Sequence, residues 1–70
     1  MPLVIAPINK DLKVIKLLAD EKLKKHLESL GICINNFIKI ISKTNGNLIC
    51  IIKGYRLALD RNIATKILVA

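Results

Sequence analysis

The 70-residue sequence predicts a single all-β domain, a small barrel of five or six short strands with one helix inserted at about residues 20–30. Three observations support this fold class. Most apolar segments are short and alternate with lysines at a period of two, which is typical of half-buried strands. An Asn-Gly pair separates two of these segments, and such pairs favour tight hairpins. One stretch alone has the apolar spacing of an amphipathic helix.

Composition favours a folded domain over a disordered chain or a membrane span. Apolar residues make up 53% of the sequence, mostly Ile and Leu, which argues against disorder. Uncharged stretches such as residues 29–38 are only about ten residues long, whereas a bilayer span needs roughly 18 or more. The N-terminal residues MPLVIAPIN lack the basic start of a signal peptide. We therefore expect a cytoplasmic protein.

The N-terminal segment contains two prolines, Pro2 and Pro7, on either side of the apolar residues 3–6. Proline is tolerated at strand edges but not in a central ladder, so this segment is predicted to be a short edge strand or extended arm that covers one end of the core. Residues 9–11 form a polar turn, and the alternation of apolar residues with lysines over residues 12–18 predicts the first full strand.

The predicted helix begins at Glu21 and ends near Leu30. Asp20 is a favourable N-cap residue, and Gly31 follows the helix where a left-handed residue is commonly required. Three leucines at i, i+4 and i+7 share the apolar face of this helix: Leu23, Leu27 and Leu30. A helix this short is not stable alone, so its apolar face is expected to pack on the strands.

The second half of the chain consists mainly of strands, predicted at residues 37–43, 48–53, 56–59 and 66–69. Asn45 and Gly46 provide the hairpin turn between the first two of these strands, and Gly54 with Tyr55 forms the next turn. Asp60 is expected to cap a single helical turn at residues 61–65. Alternation places these side chains inward: Ile38, Ile40, Leu48, Cys50, Ile52, Leu57 and Leu59.

No catalytic or metal-binding constellation is evident. There is no glycine-rich phosphate loop, and no nucleophile is paired with a base. His26 is the only histidine, and two isolated cysteines, Cys33 and Cys50, are expected to be reduced and packed as small apolar side chains. We expect no enzymatic activity, no cofactor and no stoichiometric metal.

The net charge of +7 suits an acidic or phosphate-bearing partner, or an anionic membrane face. The basic residues are scattered along the chain, which is equally typical of a solvated surface. Small barrels that bind single-stranded nucleic acid rely on aromatic stacking platforms. Phe37 and Tyr55 are the only aromatic residues here, so we expect no nucleic-acid partner.

Four segments carry a resemblance to a known family: Pro2-Leu3 with Ala6-Pro7, EKLKKHLESLGI at 21–32, IKIISK at 38–43 and KGYRLALDRNIATKILV at 53–69. Together they resemble the FeoA family of small bacterial ferrous iron transport proteins over nearly the whole chain. The resemblance implies one SH3-like β-barrel domain over residues 1–70, with a helix inserted early. Two positions depart from the family pattern. Asn35-Asn36 stands where glycine and proline are frequent, and Ile51 stands where a charged residue is common.

The resemblance also implies a function. FeoA proteins are cytosolic partners of FeoB, a membrane transporter with a GTP-binding domain, so an accessory role in ferrous iron uptake is expected. The protein would bind the transporter, modulate its assembly or nucleotide cycle, and reach the membrane only through that partner. Three alternatives stay open: an SH3-like peptide-binding module of an iron-dependent repressor, a small-barrel nucleic-acid binder, and, for assembly, a homo-oligomer formed through spare edge strands.

Two basic patches are the predicted contacts with the transporter, and they comprise Lys22, Lys25, His26, Lys53, Tyr55 and Arg56. The first three lie three and four residues apart on the helix and are therefore neighbours. The others surround the turn at residues 54–55, with Tyr55 as an amphipathic anchor of the kind favoured at interfaces.

Overall fold

The computed structural model describes residues 1–70 and contains one antiparallel sheet of five strands, β1 (Leu12–Leu17), β2 (Phe37–Thr44), β3 (Asn47–Ile52), β4 (Tyr55–Leu59) and β5 (Ile67–Val69). The strands lie in the order β4-β3-β2-β1-β5. Helix α1 (Glu21–Ser29) connects β1 to β2, and the one-turn helix α2 (Arg61–Ala64) connects β4 to β5. The predicted all-β class with one longer helix is confirmed. Neither helix has the length or the apolar character that crossing a membrane requires.

The N-terminal segment is not a strand, and that part of the prediction is wrong. Leu3–Ile5 forms a short 3₁₀ helix, in which the Ala6 amide donates to the Leu3 carbonyl over 3.1 Å. Leu3 and Ala6 are completely buried, so the segment does cover one end of the core as expected. Pro2 pairs with Leu68 through a single isolated bridge.

Two hairpin turns connect β2 to β3 and β3 to β4. Asn45 and Gly46 have φ angles of 53° and 84°, as a tight turn with two left-handed central residues requires. The second turn has the same form, with φ angles of 50° at Lys53 and 84° at Gly54. It therefore lies one residue earlier than predicted, and Tyr55 is the first residue of β4 instead of a turn residue.

The core is entirely apolar and lies on the inner face of the curved sheet. The sixteen buried side chains come from every strand and from the connecting segments, and no polar side chain is buried among them. Leu27 is the one fully buried residue of α1. Leu57 faces inward and packs against the core as predicted, but it is only half-buried. Cys50 is free and completely buried, and burial raises the pKa of its thiol to about 11, while Cys33 is free and half-buried.

The two ends of the sheet differ. The edge of β5 is covered because the Met1 amino group donates to the Val69 carbonyl over 2.7 Å, and the Val69 amide donates back to the Met1 carbonyl. No ladder joins β5 to β4, and β4 has β3 as its only paired neighbour. The edge of the sheet is therefore covered at β5 and open at β4.

Candidate partner-binding site

Helix α1 begins and ends with complete caps. The Asp20 carboxylate accepts a hydrogen bond of 2.8 Å from the Leu23 amide at the first turn. At the other end Gly31 has a φ of +94°, its amide donates to Glu28, and the Ile32 amide donates to Leu27, both over 3.0 Å. These two bonds form a Schellman motif, which satisfies carbonyls that the last helical turn leaves unpaired. The cap then directs the chain from α1 back into the core.

The turn between β3 and β4 lies against the C-terminal end of α1. The Tyr55 hydroxyl donates a hydrogen bond to the Leu30 carbonyl. A Cβ placed on Gly31 would lie 3.6 Å from both the Tyr55 oxygen and the Lys53 Cδ, and 3.0 Å from the Cγ2 atom of Ile52. The structure therefore places Lys53 and Tyr55 beside the helix end. This contact places the turn patch against the C-terminal end of the helix that carries the other predicted patch.

The helix patch is only partly assembled. Lys22 and His26 are exposed and line a shallow surface pocket of about 390 Å³ together with Asp20 and Leu23. Lys25 is also exposed, but it does not contribute to this pocket. The structure thus brings Lys22 and His26 together and leaves Lys25 outside their shared depression.

Arg56 lies on the outer face of the sheet. It pairs with Ile51, which in turn pairs with Lys39 on β2, so the three residues form one row across the strands. Lys39 was not among the predicted contacts. Ile51 faces away from the core and is half-buried beneath its charged neighbours. Any surface that includes Arg56 therefore also presents Lys39 and the side chain of Ile51.

The basic groups of the candidate site have no acidic partner within the chain. The one ion pair of the protein joins the Lys39 ammonium group to the Asp11 carboxylate over 3.7 Å. None of the six predicted contact residues takes part in it. The positive charges of Lys22, Lys25, Lys53 and Arg56 are consequently available to an acidic partner.

A second depression lies beside β4 and was not predicted. It has a volume of about 510 Å³, and its lining includes Ser42, Ile49, Ala58 and Ile63. Alanine carries no charge or bulk that would single it out in a sequence, so no local signal indicates this depression. The only relevant pattern is the alternation over β4, which places Ala58 on the same face as Arg56.

No three histidine, cysteine or acidic side chains are grouped so that they could hold a metal ion. His26 has Asp20 as its only acidic neighbour in the lining of the α1 pocket. A catalytic or structural zinc site needs at least three protein ligands. The lining of the α1 pocket therefore offers fewer protein ligands than such a zinc site requires.

The Tyr55→Phe variant should measure how much the hydroxyl group contributes to holding the turn on the helix. We expect the free energy of unfolding to fall by about 0.5–1.5 kcal/mol, because one hydrogen bond to the Leu30 carbonyl is lost while the ring remains. Urea denaturation followed by circular dichroism would measure this change. An unchanged midpoint would show that the hydroxyl bond does not stabilise the junction.

The whole chain matches one known protein family, and its fold matches solved structures. The model of the FeoA domain family matches residues 1–70. A crystal structure of an iron uptake regulatory protein, FeoA, superposes with a TM-score of 0.90 at 20% identity, covering 99% of this chain and 93% of that chain. A FeoA-like protein from Clostridium acetobutylicum gives a TM-score of 0.85 at 28% identity, covering 100% and 84%. A search of curated protein sequences gives no significant match.

A third similar structure has a fold that has been named as an SH3 domain. It is a FeoA from Stenotrophomonas maltophilia in complex with zinc, characterised as a prokaryotic SH3 domain protein and a candidate activating factor of ferrous iron transport. It superposes with a TM-score of 0.83 at 20% identity and covers 100% of this chain and 89% of that chain. The predicted SH3-like architecture is thereby confirmed.

Proposed function

This chain belongs to the FeoA family, and we propose that it is a cytosolic accessory protein of ferrous iron uptake that binds the cytosolic part of a FeoB-type transporter. In this proposal it has no catalytic activity of its own. It acts by docking, and docking shifts the assembly or the nucleotide cycle of the transporter. Its contact with the membrane is indirect, through the transporter.

The observation that carries the proposal is the junction between the β3–β4 turn and the end of α1. The hydrogen bond from the Tyr55 hydroxyl to the Leu30 carbonyl ties the turn to the end of the helix. Lys53 is held beside the helix end, and Lys22 and His26 lie on the helix itself. Functional groups on such mutually braced elements bind more precisely than groups on free loops. This supports one rigid basic surface as the docking site.

The nucleic-acid alternative receives less support. Phe37 is 59% exposed and Tyr55 is 43% exposed, so both rings are accessible. They nevertheless lie on opposite faces of the sheet, since Phe37 alternates with the buried Ile38 whereas Tyr55 pairs with the buried Ile52. Adjacent bases on one strand cannot stack on two rings that face in opposite directions.

The Lys22→Glu, Lys25→Glu double variant tests the docking proposal. Exposed charges mainly accelerate encounter with an oppositely charged partner, so the association rate should fall about tenfold at low salt. The salt dependence of that rate should also weaken. Stopped-flow or surface plasmon resonance against the transporter's cytosolic domain, with GDP and with a non-hydrolysable GTP analogue, would give both quantities.

A matched control exists for this charge reversal. Lys10→Glu with Lys66→Glu changes the net charge by the same amount at two exposed positions outside the candidate site. Equal loss of association in both double variants would mean that overall charge matters and that the site does not. No binding of the unaltered protein, to either nucleotide state or to the full-length transporter in membranes, would end the proposal.

A further inference from the structure

Strand β4 has an open edge. Its turn contains two residues, so the flanking pair Ile52 and Tyr55 exchange hydrogen bonds with each other. By alternation the backbone groups of Leu57 and Leu59 also face β3. The amide and carbonyl groups of the intervening residues, Arg56 and Ala58, therefore point away from the sheet. No backbone or side-chain hydrogen bond from elsewhere in the chain satisfies them.

The two edges of the sheet differ, because only the β4 edge is left uncovered. The opposite edge of the sheet, at β5, is covered by hydrogen bonds to Met1. Exposed strand edges are sites for pairing with another extended segment, and proteins usually protect them. At β4 the protection consists of a short strand and one charge, Arg56. This leaves space for one added strand of a few residues.

The side chains beside this edge differ in chemistry. Arg56 and Ala58 both lie on the outer face, two residues apart. Arg56 provides an unpaired positive charge. Ala58 is small, and together with Ile49 and Ile63 it lines the depression of about 510 Å³. An added strand would meet a cation at one position and an apolar depression at the other.

We propose that the β4 edge binds an extended segment of the partner as an added antiparallel strand. Its backbone pairs with the free groups of Arg56 and Ala58. An apolar side chain of the segment lies opposite Ala58 in the depression, and an acidic side chain two residues later lies opposite Arg56. The inference rests on the proposed function only for the identity of the partner.

A second copy of this chain is a poorer occupant of the edge. Two β4 strands centred on Ala58 would need Asp60 of one copy to supply the acid for Arg56 of the other. The Asp60 carboxylate already accepts from the Ile63 amide over 2.8 Å, and its carbonyl accepts from Ala64 over 2.9 Å, because Asp60 caps α2. Because this carboxylate already caps α2, an acidic residue of a different protein is the better partner for Arg56.

The experiment uses a peptide with blocked ends and the sequence Thr-Val-Thr-Leu-Thr-Glu-Thr. Its glutamate follows the leucine by two residues. A control peptide replaces the glutamate with lysine. In two-dimensional NMR spectra of the full chain, the acidic peptide should cause saturable shifts at the Arg56 and Ala58 amides. It should bind about fivefold more tightly than the control, because one exposed charge pair changes sign.

Two variants make the test specific. Ala58→Pro removes only an outward-facing donor, which an edge strand tolerates, and should weaken binding about tenfold. Arg56→Glu should reverse the preference between the two peptides. Equal binding of both peptides, or shifts that spread over the exposed lysines and survive Ala58→Pro, would overturn the proposal. So would concentration-dependent shifts of the same two amides without peptide, which would assign the edge to a second copy.

The peptide experiment contains no transporter, so its failure is separable from failure of the proposed function. If the transporter domain binds while both peptides fail to shift Arg56 and Ala58, the added-strand inference is wrong and the docking proposal stands. If the acidic peptide binds with the expected preferences but the transporter does not, the edge is a binding site and its partner is a different protein.

Discussion

Leu27→Ala is expected to lower the free energy of unfolding by about 2–5 kcal/mol, the range found for truncation of a buried leucine. Leu27 is completely buried and is the only residue of α1 that is. The helix has nine residues, too few to persist without packing, so this side chain is its principal attachment to the sheet. Truncation removes apolar burial and leaves a cavity that the short helix fills only in part.

Thermal denaturation followed by circular dichroism would measure this effect. For a domain of this size about 1 kcal/mol corresponds to roughly 4–8 °C, so we expect the midpoint to fall by about 8–40 °C. Leu18→Ala is the matched control, since Leu18 is 48% exposed and the chemical change is identical. Similar midpoints for the two variants would contradict the placement of Leu27 at the centre of the core.

Features encoded by neighbouring residues were predictable from the sequence. Asp20 and Gly31 cap α1 as expected, since capping depends on residues within one helical turn. The Asn45-Gly46 turn was equally clear, because its left-handed backbone strongly restricts the residue types that fit. The inward faces of β2 and β3 follow from simple alternation, and the structure confirms their burial.

Features that depend on distant contacts were not predictable. The Tyr55 hydroxyl donates a hydrogen bond to a carbonyl 25 residues earlier in the chain, and no local sequence pattern predicts that bond. The left-handed conformation of Lys53 also escaped prediction, because lysine rarely adopts a positive φ, and the turn was assigned one residue too late. The N-terminal segment forms a 3₁₀ turn because burying Leu3 and Ala6 outweighs the strand preference of its apolar residues.

The candidate site could be predicted only in part, because it depends on both neighbouring residues and distant contacts. Charge and helical spacing placed Lys22, Lys25 and His26 in one patch; Lys22 and His26 line a common depression, and the binding role of all three stays a prediction. The depression beside Ala58 and the free groups of β4 depend on which strand lies at the edge of the sheet. Strand order is a property of the whole chain, and alternation within one segment does not determine it.

Gly31→Ala should destabilise the protein more than Gly54→Ala, although both glycines have a left-handed backbone, with φ angles of +94° and +84°. Either substitution forces an alanine into a conformation that costs on the order of 1 kcal/mol. Gly54 has open space around its Cα, so we expect no further loss there. At Gly31 the new Cβ would lie 3.0 Å from the Cγ2 atom of Ile52, which is only 1% exposed and cannot turn away.

The total cost at Gly31 should therefore reach about 2–4 kcal/mol, as strain and overpacking add. Chemical denaturation of both variants would measure the difference. Because Gly31 also sets the distance between the helix end and the β3–β4 turn, its variant should weaken binding to the transporter domain, whereas Gly54→Ala should not. Equal destabilisation by the two substitutions would show that Ile52 can adjust to the added methyl group.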